Sequence, residues 1–393
     1  MTREIYVKQG EQTELAVVED GRLVEYLRDT GKASDAESIY LGKVERIASG
    51  MNAAFVNIGQ KRNGFLPLEE KSLSFVSNQL RCGDRVLVQV KREAHDQKGA
   101  FLTRDVTLCG QYVLLMPCNR YIGVSAKVEG ESRRRLQQLG HDLARDRFGL
   151  VMRTSAENAD TASVLQETEA LYGRWQEIVH QAATAPAPSV IAEEKSLLDS
   201  VLRDYAPRGI DRIVLNSQKT AKLLQDTYPT NLTDDNLMEA AHLISQRNQA
   251  LQRTVQLPGG GNLVIDQCEA LTAIDVNSAR FTGEKVLEET VCKVNLEACD
   301  EIVRQLRLRN LGGVIIIDFI DMKEEASRRM VEERLRQACL RDRMKTVVHG
   351  FTSLGLMEMT RKRLRRTLRD EWTISCPTCA GSGRVRCKEE EHG

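Results

Sequence analysis

No stretch of this 393-residue chain is apolar over the roughly 18 residues that a bilayer-spanning helix needs, and Met1-Thr-Arg-Glu-Ile-Tyr-Val-Lys8 contains no apolar leader. Those two absences predict a cytoplasmic protein with no membrane partner. Histidine is scarce, with six residues scattered along the chain, and none sits in a legible Ser-His or Cys-His constellation. Catalysis resting on an imidazole base is thereby set aside. Ten cysteines are present but share no framework spacing apart from Cys376 and Cys379, which predicts reduced thiols. Net charge is also missing, since 56 basic residues balance 56 acidic ones. The balance hides an asymmetry: Lys323 to Asp370 holds 14 Lys plus Arg against 7 acidic residues, densest at Arg361-Lys-Arg-Leu-Arg-Arg366. Such a run is either a solvated helix face or, beside an acidic site, a phosphate-binding surface.

The chain is long enough for two to four domains. Its centre of gravity is Leu271-Thr-Ala-Ile-Asp-Val-Asn-Ser-Ala-Arg280 read with Gly312-Gly-Val-Ile-Ile-Ile-Asp-Phe-Ile-Asp-Met322. Each is an apolar, β-branched run ending in an acid, the pattern of a buried strand that delivers a carboxylate to a sheet rim. Between them Leu287, Val291, Val294, Ala298, Ile302 and Leu306 recur at helical spacing, with Gly312-Gly313 able to close the helix. A strand, helix, strand crossover makes the two strands parallel and brings Asp275 and Asp318 to one edge. Two such charges about 4 Å apart repel by roughly 4 kcal/mol at an effective dielectric of 20, so they share a proton or a cation. Oxygen ligands alone suit Mg²⁺ or Mn²⁺. Asn277, two residues on, points to the same side and offers an amide to substrate or water. The alternative is that Asp275 caps a turn and Asp318 or Asp321 pairs with an arginine.

Upstream, strand-like segments at 3 to 8 and 14 to 18 and the run Leu23 to Tyr26 are too little to fold alone. Five short strands follow: Ile39 to Ile47, Ala53 to Ile58, Gly64 to Leu68, Arg85 to Lys91 and Ala100 to Val106. That spacing suggests a small barrel, with the OB-fold first among candidates. Phe55 and Phe65 interleave with Lys61, Arg62, Lys91, Arg92 and Lys98; on an outer face they would stack bases while the cations follow phosphates, and otherwise they are core. Tyr112 to Met116 and Gly149 to Arg153 read as strands and Ser163 to Ala183 as a helix. Arg153-Thr154 at a strand end can hold a phosphate by guanidinium fork and hydroxyl. Thr184-Ala-Pro-Ala-Pro-Ser189 is a stiff linker. Beyond it come a helix Ser196 to Asp204, a strand Ile210 to Leu215 and a long helix Asp235 to Gln252. After the carboxylate unit, Ala326 to Cys339 is a helix and Lys345 to His349 a strand, and Gly350 to Leu356 leads into a basic helix.

Cys376-Pro-Thr-Cys379 is either a redox pair or half of a tetrahedral zinc site. The flanking Gly381 and Gly383, with no preceding strand, favour zinc. Two further ligands must then come from Cys387 and His392 or from outside the chain.

These stretches, together with Ala53-Ala-Phe-Val-Asn-Ile-Gly59, Gly64-Phe-Leu-Pro-Leu68, Arg304-Gln-Leu-Arg-Leu-Arg309 and Gly355-Leu-Met-Glu-Met-Thr-Arg-Lys-Arg363, closely resemble the ribonuclease E/G family of endoribonucleases. The resemblance implies an α/β multidomain architecture: a split RNase H-like domain (1–36 and 197–255) into which an OB-fold RNA-binding barrel (37–108) and a 5′-sensor (109–196) are inserted, then a DNase I-like catalytic domain (256–374) and a zinc knuckle with its tail (375–393). It makes Asp275 and Asp318 the ligands of one Mg²⁺ per active site, with Asn277 the third catalytic residue and Asp321 outside the set. Phe55, Phe65 and Lys98 match RNA-contacting positions. Arg153, Thr154, Gly110 and Leu114 match those that hold a 5′-monophosphate.

The implied function is Mg²⁺-dependent cleavage of single-stranded, A/U-rich RNA to 5′-phosphate and 3′-hydroxyl products, stimulated by a 5′-monophosphate, in mRNA decay and rRNA and tRNA processing. The alternative is a non-catalytic RNA-binding relative. The knuckle implies a Zn²⁺ shared through Cys376 and Cys379 of two protomers, hence a homodimer. Three positions and the length depart from the pattern. Leu114 replaces Val, Ala126 replaces an Arg of the sensor, Asn57 replaces Asp, and the chain stops ten residues after Gly383. The last predicts a short form without the family's small C-terminal domain, and so a dimer with no surface for pairing into tetramers.

Overall fold

The structure, a computed structural model, describes residues 1–29, 36–68, 80–94, 99–193, 196–278, 287–362, 365–379, 383 and 385. Lys98, Cys387 and His392 lie outside them.

Three N-terminal strands, Arg3–Lys8, Thr13–Glu19 and Arg22–Asp29, form an antiparallel meander turned at Asp20-Gly21, both at positive φ. Three strands bury one face poorly. The chain completes them from far along the sequence: Arg212–Leu215 pairs in parallel with the first strand, and Thr230–Leu232 adds to its outer side. The helix Leu197–Tyr205, capped by the Ser196 hydroxyl, lays Leu198, Val201 and Tyr205 over Ile5, Val17 and Ile213. The chain therefore leaves this sheet after Asp29 and returns to it at Arg212.

What lies between is two further bodies. Ile39–Ala48, Ala53–Asn57, Gly64–Pro67, Arg85–Arg92 and Phe101–Thr103 close into a five-stranded barrel, since the first pairs with both the second and the fourth. Alternation sends Val44, Ala54, Val56, Leu66, Val88 and Leu102 inward, the arrangement of an OB-fold. Gly42 is required there, because a Cβ would sit 2.4 Å from Val56 Cγ1. A second, four-stranded sheet (Leu108–Cys109, Val113–Met116, Ile122–Val124, Gly149–Met152) packs against helices Gly130–Ala144 and Thr161–Thr184. The first of those helices escaped the sequence reading because its buried stripe is only Leu136, Gly140, Leu143 and Ala144 in a run otherwise rich in charge.

The last body is a six-stranded sheet, Thr254–Gln256, Asn262–Gln267, Leu271–Asn277, Gly313–Asp318, Met357–Arg361 and Thr346–Phe351 in spatial order. Helices Leu287–Leu308 and Glu325–Cys339 cover one face, where Ile274, Val276, Ile315 and Ile317 meet Ala298, Ile302 and Val331. Three expectations are corrected here. The approach to Arg361 is a strand rather than a helix, because Met357, Met359 and Arg361 alternate into the interior. The helix expected over Asp235 to Gln252 is two, Leu237–Ala240 and Leu243–Ala250, broken at His242 with φ 54°. The long helix ends at Leu308 and is closed by Asn310 (φ 49°) rather than by Gly312-Gly313, with the Leu311 N–H closing back on the Leu306 carbonyl.

Buried ion pairs join this body to the N-terminal sheet. Arg307 reaches Glu19 at 2.8 Å, Arg343 reaches Glu25 at 2.9 Å and Asp204 at 3.0 Å, and the Tyr205 hydroxyl bonds Glu25.

Candidate active site and nucleic-acid interface

The parallel pairing of Leu271–Asn277 with Gly313–Asp318 runs in a register that sets Asp275 directly opposite Asp318. Because Ile274, Val276 and Ile317 point into the helix-covered core, the two acids and Asn277 stand on the sheet's open face. Burial raises the Asp318 pKa above the ordinary carboxylate value, reinforced by the negative fields of Asp275 and Asp321. A crowded carboxylate of this kind gains from a nearby cation. The Asn277 amide donates to Asp275 Oδ2 at 2.8 Å, so its first task is to orient that carboxylate.

Two supports escaped the sequence reading. Asn295, 0 % exposed on the long helix, donates to the Ile320 carbonyl at 2.9 Å and accepts its N–H at 3.1 Å. Glu288 accepts the N–H groups of Lys323 and Glu324, each at 3.1 Å. Together they hold the loop after Asp318 that carries Asp321. The available signal was an asparagine inside an otherwise apolar helical stripe, between Val291 and Ala298. Among the described residues no group of three or more His, Cys, Asp or Glu side chains is placed to hold a metal. Two carboxylates suit Mg²⁺, which keeps several waters and takes its remaining ligands from phosphate.

On the barrel, Phe55 and Phe65 are directly paired across adjacent strands and half-buried on the outer surface, with ring centroids 6.0 Å apart. They are not core. Arg46 lies 4.5 Å over the Phe55 ring. Asn57 also finds its explanation: its carbonyl accepts the Gly59 N–H at 2.9 Å, as an aspartate would, while its amide donates to Glu45 at 3.0 Å, which an aspartate cannot do.

Arg153, Thr154, Leu114 and Ala126 line one cleft of about 1400 Å³, to which Leu340, Arg343 and Val347 on the approach to the six-stranded sheet also contribute. Arg153 is engaged within it, donating to the Gly110 carbonyl and to Asp204 at 2.9 Å. Burial would raise the Asp204 pKa, but Arg343, Arg203 and Arg153 outweigh it and hold the carboxyl below its usual value. The Gly110 N–H is spent on the Val113 carbonyl. The Thr154 and Ser125 hydroxyls lie 3.0 Å apart. Lys127, beside Ala126, donates to the carbonyls of Leu340 and Asp342 at 3.0 and 3.2 Å, so it ties the four-stranded body to the six-stranded one.

Part of the basic run is paired within the chain. Arg361 pairs with Asp342 at 2.6 Å in the core, Arg336 with Glu332 at 2.6 Å, and Arg334 with Asp300. Lys345, Lys362 and Arg365 line the cleft instead. At the C-terminal end the amides of Cys379 and Thr378 point at the Cys376 sulfur and lower its pKa, favouring the thiolate that a metal needs.

The ribonuclease E/G family profile matches residues 107–364. Ribonuclease G of Escherichia coli (strain K12) is 36 % identical over 418 residues, covering 99 % of this chain and 86 % of that protein. Ribonuclease G of Haemophilus influenzae is 36 % identical over 406 residues, with 96 % and 83 % covered. Ribonuclease E of Escherichia coli (strain K12) is 36 % identical over 412 residues, 98 % of this chain but only 39 % of that protein, so the chain spans about two fifths of that relative's length. A profile match over more than half the chain and relatives at this identity over nearly all of it leave one conclusion: the chain belongs to the ribonuclease E/G family.

Proposed function

We propose that the protein is a Mg²⁺-dependent endoribonuclease that cuts single-stranded, A/U-rich RNA to leave 5′-phosphate and 3′-hydroxyl ends, in mRNA decay and rRNA and tRNA processing in the cytoplasm. The observation that carries this reading is the direct opposition of Asp275 and Asp318 on the open sheet face, with Asn277 bonded to Asp275. The two carboxylates would hold one Mg²⁺, which when bound supplies positive charge at the scissile phosphate and acidity to a water. Asn277 keeps the Asp275 carboxylate in one orientation. The Phe55 and Phe65 rings stack bases while cations follow the phosphates, a role that the family resemblance gives to Lys98.

Arg153 and Thr154 would take a 5′-monophosphate, with the phosphate displacing Asp204 from the guanidinium and the main chain of Gly110 and Leu114 framing the pocket. The sheet that residues 3–29 form with 212–232 is assigned as the split RNase H-like domain, and the six-stranded body as the DNase I-like domain. Cys376 and Cys379 supply two thiolates, half of a tetrahedral Zn²⁺ site, and a second protomer supplies the rest, giving a homodimer. Among the described residues no helix is long and apolar enough to cross a membrane. The deciding experiment is Asp275→Asn: binding of an A/U-rich oligonucleotide should survive and cleavage should not. Cleavage at the wild-type rate, or a wild type that binds RNA without ever cutting it in Mg²⁺, would leave the non-catalytic reading in its place.

A further inference from the structure

The row of rings on the barrel does not stop at Phe65. Phe65 is paired with Phe101 on its other side, in parallel, with ring centroids 5.8 Å apart and planes inclined at 33°. Ala100 and Leu102 are both fully buried in the barrel, so alternation turns Phe101 outward with Phe55 and Phe65, and it is only half-buried. The guanidinium of Arg92, its cross-strand partner, lies 4.6 Å over the ring, as Arg46 lies over Phe55 at the opposite end. Three outward phenylalanines on three paired strands, Phe55 meeting Phe65 edge to face at 78° and Phe65 tilted against Phe101, form an aromatic row with an arginine over each end ring that folding leaves half-exposed.

We propose that Phe101, with Arg92 over it, is a third base-stacking position, so that the barrel grips three successive bases of single-stranded RNA rather than two. The inference rests on the RNA reading above and adds to it the length of the gripped segment. Successive rings about 6 Å apart match one base per ring, and stacking contributes about 1–3 kcal/mol per base with little sequence preference. Arg92 and Arg46 place positive charge where the backbone enters and leaves the row.

The test uses the full chain in EDTA, so that binding is read without cleavage, with oligo(A) carrying one abasic site moved along its length. The wild type should lose affinity at three adjacent abasic positions. Phe101→Leu, which keeps the apolar volume but not the π face, should weaken oligo(A) binding about 5- to 100-fold and become indifferent to one of the three. Phe101→Trp should bind as the wild type does and be quenched by oligo(A), because the two native tryptophans, Trp175 and Trp372, lie in other bodies. Loss of affinity in Phe55→Leu with none in Phe101→Leu, or sensitivity at two positions only, would overturn the third position alone. A wild type with no affinity for oligo(A) would overturn the RNA reading and this inference together.

Discussion

Asp318→Asn should make the metal-free protein more stable and the enzyme inactive, a combination that a structural aspartate does not produce. Adjacent strands lie about 4.8 Å apart, and Asp275 and Asp318 are direct partners across that gap on the same face. Two carboxylates at about 5 Å repel by roughly 3 kcal/mol at a dielectric of 20 and roughly 1 kcal/mol in water. Asp318 is exposed, so the lower figure governs and the gain is about 1 kcal/mol, or about 1 °C in the thermal midpoint of a chain this long. Its sign with pH follows from the raised pKa. Below that value native Asp318 holds a proton and feels no repulsion, so the advantage of the variant should appear only as pH rises through it. High salt should erase the gain, since the Debye length falls to about 3 Å at 1 M. Added Mg²⁺ should then reverse the order: a ligand at a hundred times its Kd stabilises the wild type by about 2.7 kcal/mol, and a site that has lost one carboxylate gains far less. Scanning calorimetry with and without Mg²⁺ reads all three effects, and cleavage should fall by at least about a hundredfold. A variant less stable than the wild type in EDTA, or one stabilised equally by Mg²⁺, would refute the shared-cation reasoning.

Arg153→Gln should flatten any preference for 5′-monophosphate over 5′-hydroxyl substrates, a difference of roughly ten- to a hundredfold for a charge-assisted guanidinium–phosphate contact, while internal cleavage persists; equal wild-type rates on both ends would show that the cleft does not sense the terminus. Cys376→Ser with Cys379→Ser should convert a zinc-linked dimer to monomers in light scattering, with half a zinc per chain lost on metal analysis; one zinc per monomer would point instead to ligands within the chain. Glu371, on the helix Leu368–Trp372, is pushed up by burial to about 7 against the opposing fields of Arg365 and Arg366. The native state therefore holds a proton that the unfolded chain has released, so stability should fall as pH rises between about 4.5 and 7, by at most about 3 kcal/mol. Glu371→Gln should flatten that slope in urea titrations, and an unchanged slope would assign it to other groups.

What the sequence by itself determined is local or nearly so. The β-branched runs at 271–277 and 313–318 alternate with period two, the stripe between them repeats at helical spacing, and a short right-handed crossover leaves one arrangement. The meeting of Asp275 and Asp318 at one sheet edge was therefore legible, whereas the register that sets them directly opposite each other came from the structure. The barrel strands followed from the same alternation, but whether Phe55 and Phe65 face outward or into the core was left open by it and was settled by the structure. The split of the first sheet came from the family resemblance, because Arg212–Leu215 carries no mark of the strand 200 residues upstream that it completes. Phe101 was assigned to a strand, but only the pairing of that strand with Gly64–Pro67 sets it beside Phe65.

Tertiary structure alone decided the fate of the charges. Composition makes Lys323 to Asp370 a basic surface, yet Arg343 is buried against Glu25 of the N-terminal sheet and Arg361 against Asp342 within the same stretch, because a buried guanidinium must find a carboxylate wherever the fold places one. The same holds for Arg153, whose partner Asp204 arrives on a helix from beyond the linker, and for Asn295, whose amide is satisfied by the Ile320 backbone. Strand and helix periods are written in neighbouring residues, whereas the pairing of buried polar groups depends on which surfaces meet, and in this chain they meet across long sequence separations.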